Sequence, residues 1–298
     1  MAGRWTRGWA MARASFAVLK RYPKLAVFPV ISGAVLLLTV GLIALSLLPQ
    51  MHLLYPITRP IWDKLGANPT GQIVFYVAAF VVIYALTVIA VFFNVALIHC
   101  ALRCHAGQEP SVRDGIAAAT ARLPQILGWA LVAATVGVVL NVIEGLLRDK
   151  LGFLGSLVGG LLEFGWTVVT YFVLPVLATE GVGPIAAIKR SSAILREKWG
   201  ESLAGETRFG LLGLLFGLQA AALFFIGLAI ELSYGTTAAL GLGGLLMALG
   251  VVYGLATIVV LQALSTIFQA GLYLYATTGQ VPPTLDPVLV QEAFRPKR

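Results

Sequence analysis

Charged residues interrupt this sequence only at wide intervals, and that spacing constrains its fold more than any motif does. Residues 25–48 and residues 232–285 contain no Asp, Glu, Lys or Arg. Uncharged apolar stretches of 18 residues or more are typical of transmembrane helices. The whole chain is 59% hydrophobic and only 11% charged, whereas soluble domains are about 25% charged. The sequence therefore predicts an all-α membrane protein.

We expect one transmembrane domain over residues 1–298, built as a bundle of six helices. The predicted spans cover about 25–48, 71–102, 124–143, 155–179, 209–230 and 239–277. A basic amphipathic segment (1–24) precedes them, and a tail (278–298) follows. The 54 uncharged residues at 232–285 are long enough for two spans, but the turn formers between Ser233 and Gly244 favour a turn followed by one long span.

The distribution of Lys and Arg predicts the orientation. With six spans, 17 of the 21 basic residues lie on the side of the two termini, and four lie in the opposite loops. Basic residues are enriched on the cytoplasmic side of membrane proteins, so we expect both termini in the cytoplasm of a bacterial cell, with the bundle in its inner membrane. Splitting the last uncharged stretch into two spans would move the basic tail outside.

Two basic amphipathic segments are expected to lie on the membrane surface as helices, where Lys and Arg attract anionic lipid headgroups. A frayed tail is the alternative for the first segment. Because the basic residues adjoin spans, the net charge of +8 indicates a lipid partner rather than nucleic acid, and a membrane-protein partner remains open. The predicted surface anchors are Trp5, Trp9, Arg13, Lys20, Arg21, Lys189, Arg190, Arg196, Lys198 and Trp199.

Short matches suggest a threefold repeat of a surface helix followed by a two-span hairpin. LKRYPKL (19–25) aligns with TARLPQI (120–126), and SFAVLK (15–20) aligns with SSAILR (191–196). The span exits also match, since GQEP (107–110) resembles GQVP (279–282) and, more loosely, GVGP (181–184). Every unit would begin and end on one side of the membrane, unlike the inverted repeats of many secondary transporters.

Three polar residues inside predicted spans form the candidate intramembrane site: Asn141, Glu144 and Glu163. Ionisable groups within a membrane are costly and are functional candidates by default. The alternative for Glu144 is a position at the interface that reaches water, and the alternative for Glu163 is a packing role between helices. The GxxxG pairs Gly155/Gly159, Gly213/Gly217 and Gly250/Gly254 are expected to pack helices within the bundle.

Enzymatic and metal-binding signatures are absent from the sequence. It contains no HExxH, GxSxG, Walker A or GxGxxG motif, and we expect no enzyme activity and no cofactor. The sequence HCALRCH (99–105) superficially suggests a metal site, but Cys100 and Cys104 share one helical face while His99 and His105 point elsewhere. Zinc requires four converging ligands, or three with a water, so we predict no metal.

The segments RASFAVLKRYPKLAVFPVISG (13–33) and EGVGPIAAIKRSSAILREKWG (180–200) carry a family resemblance. They resemble uncharacterised bacterial six-span integral membrane proteins, and they are more distantly similar to the membrane domain of glycerophosphoryl diester phosphodiesterases. The resemblance implies an all-helical inner-membrane fold and supplies no activity, because no catalytic phosphodiesterase domain is present.

Two functions remain open from the sequence. The first is an accessory or scaffolding membrane protein with lipid or protein partners, which the basic surface helices favour. The second is a transporter or channel for a small solute or lipid, which would use the polar residues of spans three and four.

Overall fold

The prediction of an all-α membrane bundle is confirmed. A computed structural model describes residues 15–47, 69–198, 206–234 and 237–281, and the regular structure within these ranges is helical without any strand. The helices are α1 (Ser15–Arg21), α2 (Val27–Leu47), α3 (Pro69–His105), α4 (Val112–Ala121), α5 (Leu123–Leu151), α6 (Phe153–Val169), α7 (Val173–Glu180), α8 (Pro184–Lys198), α9 (Glu206–Tyr234) and α10 (Thr237–Thr278), with a 3-10 turn at Pro23–Ala26.

Five stretches of helix in the described residues are long and apolar enough to cross a membrane. A sixth is obtained when α1 and the helix that follows it, which meet at a bend of 103°, count as one span. The bend has a local cause, since Pro23 disfavours a helical Tyr22, and Tyr22 has φ −128° and ψ 69°. The five stretches are Pro69–His105, Leu123–Leu151, Phe153–Glu180, Gly213–Ser233 and Gly241–Thr278.

The helices form two compact units. The first unit comprises Met1–Pro29, Leu97–Gly115 and Ala193–Arg298, and it contains the α9–α10 hairpin together with α1 and the last turns of α3. The second unit comprises Val30–Ala96 and Ile116–Ser192, and it contains the α5–α6 hairpin with α7.

Glycines bring the helices of each hairpin into close contact, as the GxxxG pairs predict. A Cβ atom on Gly159 would lie 2.6 Å from Glu144 Cγ, and one on Gly250 would lie 2.8 Å from Ala220 O. The prediction fails at Gly217, which has no such neighbour within 4 Å. The closest approach in the α9–α10 hairpin is instead between Gly227 and Gly243, which lie outside the predicted pairs.

The span Phe153–Glu180 is interrupted between α6 and α7. Thr170 and Phe172 have ψ values near 0°, which departs from α-helical geometry. The Ser191 hydroxyl of α8 bridges this interruption, because it accepts from Phe172 N at 3.0 Å and donates to Val169 O at 2.7 Å. A side chain of α8 therefore satisfies backbone groups that a continuous helix would pair internally.

Left-handed glycines follow three of the long apolar stretches, as the repeated exits suggest. Gly107 follows α3 with φ +76°, Gly181 follows α7, the end of the stretch Phe153–Glu180, with φ +64°, and Gly279 follows α10 with φ +73°. Glycine adopts this conformation without the penalty that a Cβ atom imposes. Across the described residues, only Gly152 in the α5–α6 turn also has a positive φ.

Burial agrees with the second alignment that predicts the repeat and with part of the first. In the first, buried Leu25 matches buried Ile126, and buried Phe28 matches buried Trp129 when the alignment is extended, but buried Leu19 matches exposed Thr120. In the second, the buried residues Ser15, Val18 and Leu19 match the buried residues Ser191, Ile194 and Leu195. This shared burial agrees with the predicted equivalence of α1 and α8, and the threefold repeat of a surface helix and a hairpin stays a prediction.

Candidate functional site

The basic helices α1 and α8 have one buried side and one charged side. On α1, Val18 and Leu19 are buried while Lys20 and Arg21 are exposed. The exposed cations of α8 are Lys189, Arg190 and Arg196. Five predicted anchors therefore present their charge to the surroundings.

The remaining predicted anchors lack described side chains. Trp5, Trp9, Arg13 and Trp199 lie outside the described residues, and the backbone of Lys198 forms the last residue of α8.

Ion pairs modify the exposed charge at two points. Arg190 Nε donates to Glu180 Oε1 at 3.0 Å, with 47% and 31% of the two side chains exposed. Arg103 Nη1 lies 2.5 Å from Asp114 Oδ2. Exposed pairs of this kind contribute at most about 1 kcal/mol to stability. Lys189 and Arg196 are the other exposed cations of α8 with described side chains, and Glu197 adds an exposed carboxyl group.

The loop between α7 and α8 is fixed against the start of α5. Arg122 Nη2 donates to Thr179 O at 3.3 Å, and Gln125 Nε2 donates to Gly181 O at 3.0 Å. A Cβ atom on Gly181 would collide with the Arg122 guanidinium. These contacts hold the loop before α8 against the first turn of α5.

The end of α3 is fastened to the following turn by side chains of the HCALRCH motif. Cys100 Sγ donates to Ser111 O at 3.4 Å, and Arg103 Nε donates to Gln108 Oε1 at 3.1 Å. Both cysteines are buried free thiols. The motif thus holds the turn that carries Gly107.

His105 links the end of α3 to α10. The residue is 1% exposed, and Nε2 lies 3.0 Å from Ile267 O. Since a carbonyl oxygen only accepts, Nε2 carries the proton. No group of three or more His, Cys, Asp or Glu side chains within the described ranges is arranged to hold a metal ion.

The three candidate intramembrane residues lie on the α5–α6 hairpin, but in different environments. Glu144 is half-buried, and its side chain packs against Gly159. Asn141 and Glu163 are both exposed. Glu163 lies ten residues into α6, which corresponds to about 15 Å along a helix and about half the thickness of a hydrocarbon core.

Several contacts that organise the site were not predicted from the sequence. Ser191 and His105 act on backbone groups of distant helices, and single-sequence periodicity contains no information on such partners. The sequence indicated a role for Arg122 only weakly, because the alignment matched it to Arg21. The left-handed conformation of Gly181 was more strongly indicated, since glycine recurs at all three span exits.

The helical fold and its long apolar stretches define a multi-pass membrane protein. The sequence model of DUF6159, a family of unknown function, matches residues 72–282. The chain belongs to this uncharacterised family. No curated protein and no solved structure matches it.

Proposed function

We propose that this protein is an accessory membrane protein that binds anionic lipid headgroups along its basic surface helices. The carrying observation is the two-sided character of α1 and α8, which bury apolar residues and expose cations. In this proposal the basic helices lie at the cytoplasmic face of a bacterial inner membrane, and both termini are cytoplasmic.

The role is proposed as accessory or scaffolding rather than catalytic. The similarity of residues 13–33 and 180–200 to the phosphodiesterase membrane domain remains a prediction, and it concerns a membrane region rather than a catalytic one. The transport alternative would require Glu144 and Glu163 to line a polar path. Glu144 packs against Gly159 and Glu163 is exposed, so neither observation favours transport over lipid binding.

Charge removal on α8 tests the proposal. Each basic residue near an anionic surface contributes about 1 kcal/mol, and about 1.4 kcal/mol corresponds to a tenfold change in affinity. The double variant Lys189→Gln and Arg196→Gln removes about 2 kcal/mol and should therefore lower the preference for phosphatidylglycerol over phosphatidylcholine by about thirtyfold. The measurement is mass spectrometry of lipids retained by protein purified from mixed vesicles.

The matched control is the double variant Arg148→Gln and Lys150→Gln. These two cations are also exposed, but they lie at the other end of the α5–α6 hairpin, beside Gly152. Their removal should leave the lipid preference unchanged. An unchanged preference in the α8 variant, or an equal loss in the control, would contradict the proposal.

A further inference from the structure

The α5–α6 hairpin has one exposed face on which both helices carry small or polar residues. On α5 this face contains Gly137, Asn141 and Gly145, spaced four residues apart. On α6 it contains Gly160, Glu163 and Thr167. Asn141, Glu163, Gly160 and Thr167 are exposed, and a Cβ atom on Gly137, Gly145 or Gly160 would meet nothing within 4 Å.

The rotation of each helix places these residues on the same side of the hairpin. Gly145 follows the contact residue Glu144 by one position, and Gly160 likewise follows Gly159. Thr167 follows Trp166, which stacks on Trp129 at 5.9 Å. One position along an α-helix corresponds to a rotation of about 100°. Because α5 and α6 are antiparallel, a residue one position after the contact lies on the same side of the hairpin in both helices. We call this surface the Asn141–Glu163 face.

The hairpin register places Asn141 and Glu163 at nearly the same depth. Gly155 packs against Leu147, and four residues later Gly159 packs against Glu144. Continuing this antiparallel register brings Asn141 level with residues 161–163. An amide donor and a carboxyl group therefore lie side by side near the middle of the proposed span, and an unpaired polar group is costly there.

We propose that a second copy of this chain docks on the Asn141–Glu163 face to form a twofold-symmetric dimer. A twofold axis along the membrane normal preserves depth and exchanges the two helices. It therefore sets Asn141 of each copy against Glu163 of the other, so that Asn141 Nδ2 donates to a Glu163 oxygen twice. A surface with donor and acceptor at one depth is self-complementary under this symmetry.

The small residues of the face give the dimer its packing. Gly137, Gly145 and Gly160 allow close approach of helix backbones, which is a common basis of helix association in membranes. Without the glycines, the polar pair would form its two hydrogen bonds with no closely packed helices around them. Without the polar pair, the glycines would not determine the depth at which the two copies align. Their combination on one face specifies both the distance and the depth of the contact.

Disulfide cross-linking between two differently tagged copies tests this arrangement in the membrane. One copy carries Asn141→Cys and the other carries Glu163→Cys. This design converts one of the two reciprocal contacts to a cysteine pair and leaves the other intact. Mild oxidation of membranes that contain both copies should give a cross-linked product bearing both tags. Copies without an added cysteine should give none, because Cys100 and Cys104 are buried.

The matched control uses Val139→Cys in one copy and Leu161→Cys in the other. Both residues are exposed, with 48% and 62% of their surfaces accessible, and their helical rotation turns them away from the Asn141–Glu163 face. This pair should cross-link at least fivefold less. Equal cross-linking of the two pairs, or none at 141/163 in folded protein, would overturn the proposal.

Variants of Glu163 test the hydrogen bonds separately. Glu163→Gln retains an acceptor and should keep the dimer, whereas Glu163→Leu should lower the dimeric fraction at least fivefold. Single-molecule photobleaching of labelled protein in vesicles measures that fraction. If the unchanged chain is monomeric in this measurement, the dimer proposal is wrong. A monomer is the result expected if the Glu163 carboxyl group instead binds a lipid or another membrane protein.

Discussion

Ser191 connects α8 to the interruption between α6 and α7 through one hydroxyl group. It accepts from Phe172 N and donates to Val169 O, and the whole residue is buried. Its repeat counterpart Ser15 is equally buried, yet among the described residues its hydroxyl has no hydrogen-bond partner. The Ser191 hydroxyl therefore stabilises the fold, whereas burial of the Ser15 hydroxyl costs free energy.

Alanine substitution should separate the two serines. Ser191→Ala removes the partner of buried backbone groups and should lower the free energy of unfolding by about 1–3 kcal/mol. Ser15→Ala removes a buried hydroxyl without a partner and should be neutral or slightly stabilising. Thermal unfolding of the detergent-solubilised protein measures both effects.

Ser192→Ala is the control for this comparison. The Ser192 hydroxyl donates to Lys189 O within its own helix, and its loss should change stability by less than about 0.5 kcal/mol. Equal destabilisation by the Ser191 and Ser15 substitutions would contradict the roles assigned to them.

The sequence alignment identified Ser15 and Ser191 as equivalent positions, and their burial agrees with that. It did not predict their hydrogen bonds, because these depend on where a second span breaks. Similarly, the exposed cations of α8 follow from its amphipathic pattern, whereas the Arg190–Glu180 pair depends on the geometry of the Gly181 turn.

The elements that carry the most helix contact are the two hairpins, and each depends on glycine. In the α9–α10 hairpin, a Cβ atom on Gly227 would lie 2.5 Å from Gly243 O, and one on Gly243 would lie 2.6 Å from Gly227 O. The GxxxG spacing predicted packing glycines at Gly250 and Gly159 but did not identify Gly227 and Gly243. A spacing motif marks a small-residue face, while the partner and register depend on the packed hairpin.

A large side chain at Gly227 should force the two helices apart. We expect Gly227→Leu to lower the free energy of unfolding by about 1–3 kcal/mol or more, because overpacking displaces backbone. Gly217→Leu on the same helix is the control, since a Cβ atom there meets nothing within 4 Å. Unfolding of both variants in mixed micelles gives the comparison, and equal stabilities would show that the hairpin does not require the Gly227 contact.

Across the chain as a whole, the long apolar helices of the described residues were the most predictable feature. Uncharged stretches such as residues 232–285 predict transmembrane helices directly, because the hydrocarbon core of a bilayer excludes charged side chains and unpaired backbone groups. The α10 helix runs unbroken from Thr237 to Thr278, which agrees with one long helix rather than two. The interruption at Thr170–Phe172 was not predicted, since its stabilising partner lies on a different helix.

The distribution of Lys and Arg also predicts which helix ends face the cytoplasm. Glu109, in the turn after α3, should lie on the cytoplasmic side with the basic helices. Asp149, near the α5–α6 turn, should lie on the opposite side. Both residues are exposed, so a cysteine at either position is accessible to reagents from its own side of the membrane.

Cysteine labelling with a membrane-impermeant maleimide tests this claim most directly. In intact bacterial spheroplasts that express the full chain, Asp149→Cys should react, and Glu109→Cys should react only after the membrane is permeabilised. The unsubstituted chain should remain unlabelled, because its two cysteines are buried. Labelling of Glu109→Cys in intact spheroplasts, with protection of Asp149→Cys, would contradict the orientation and with it the cytoplasmic lipid-binding face.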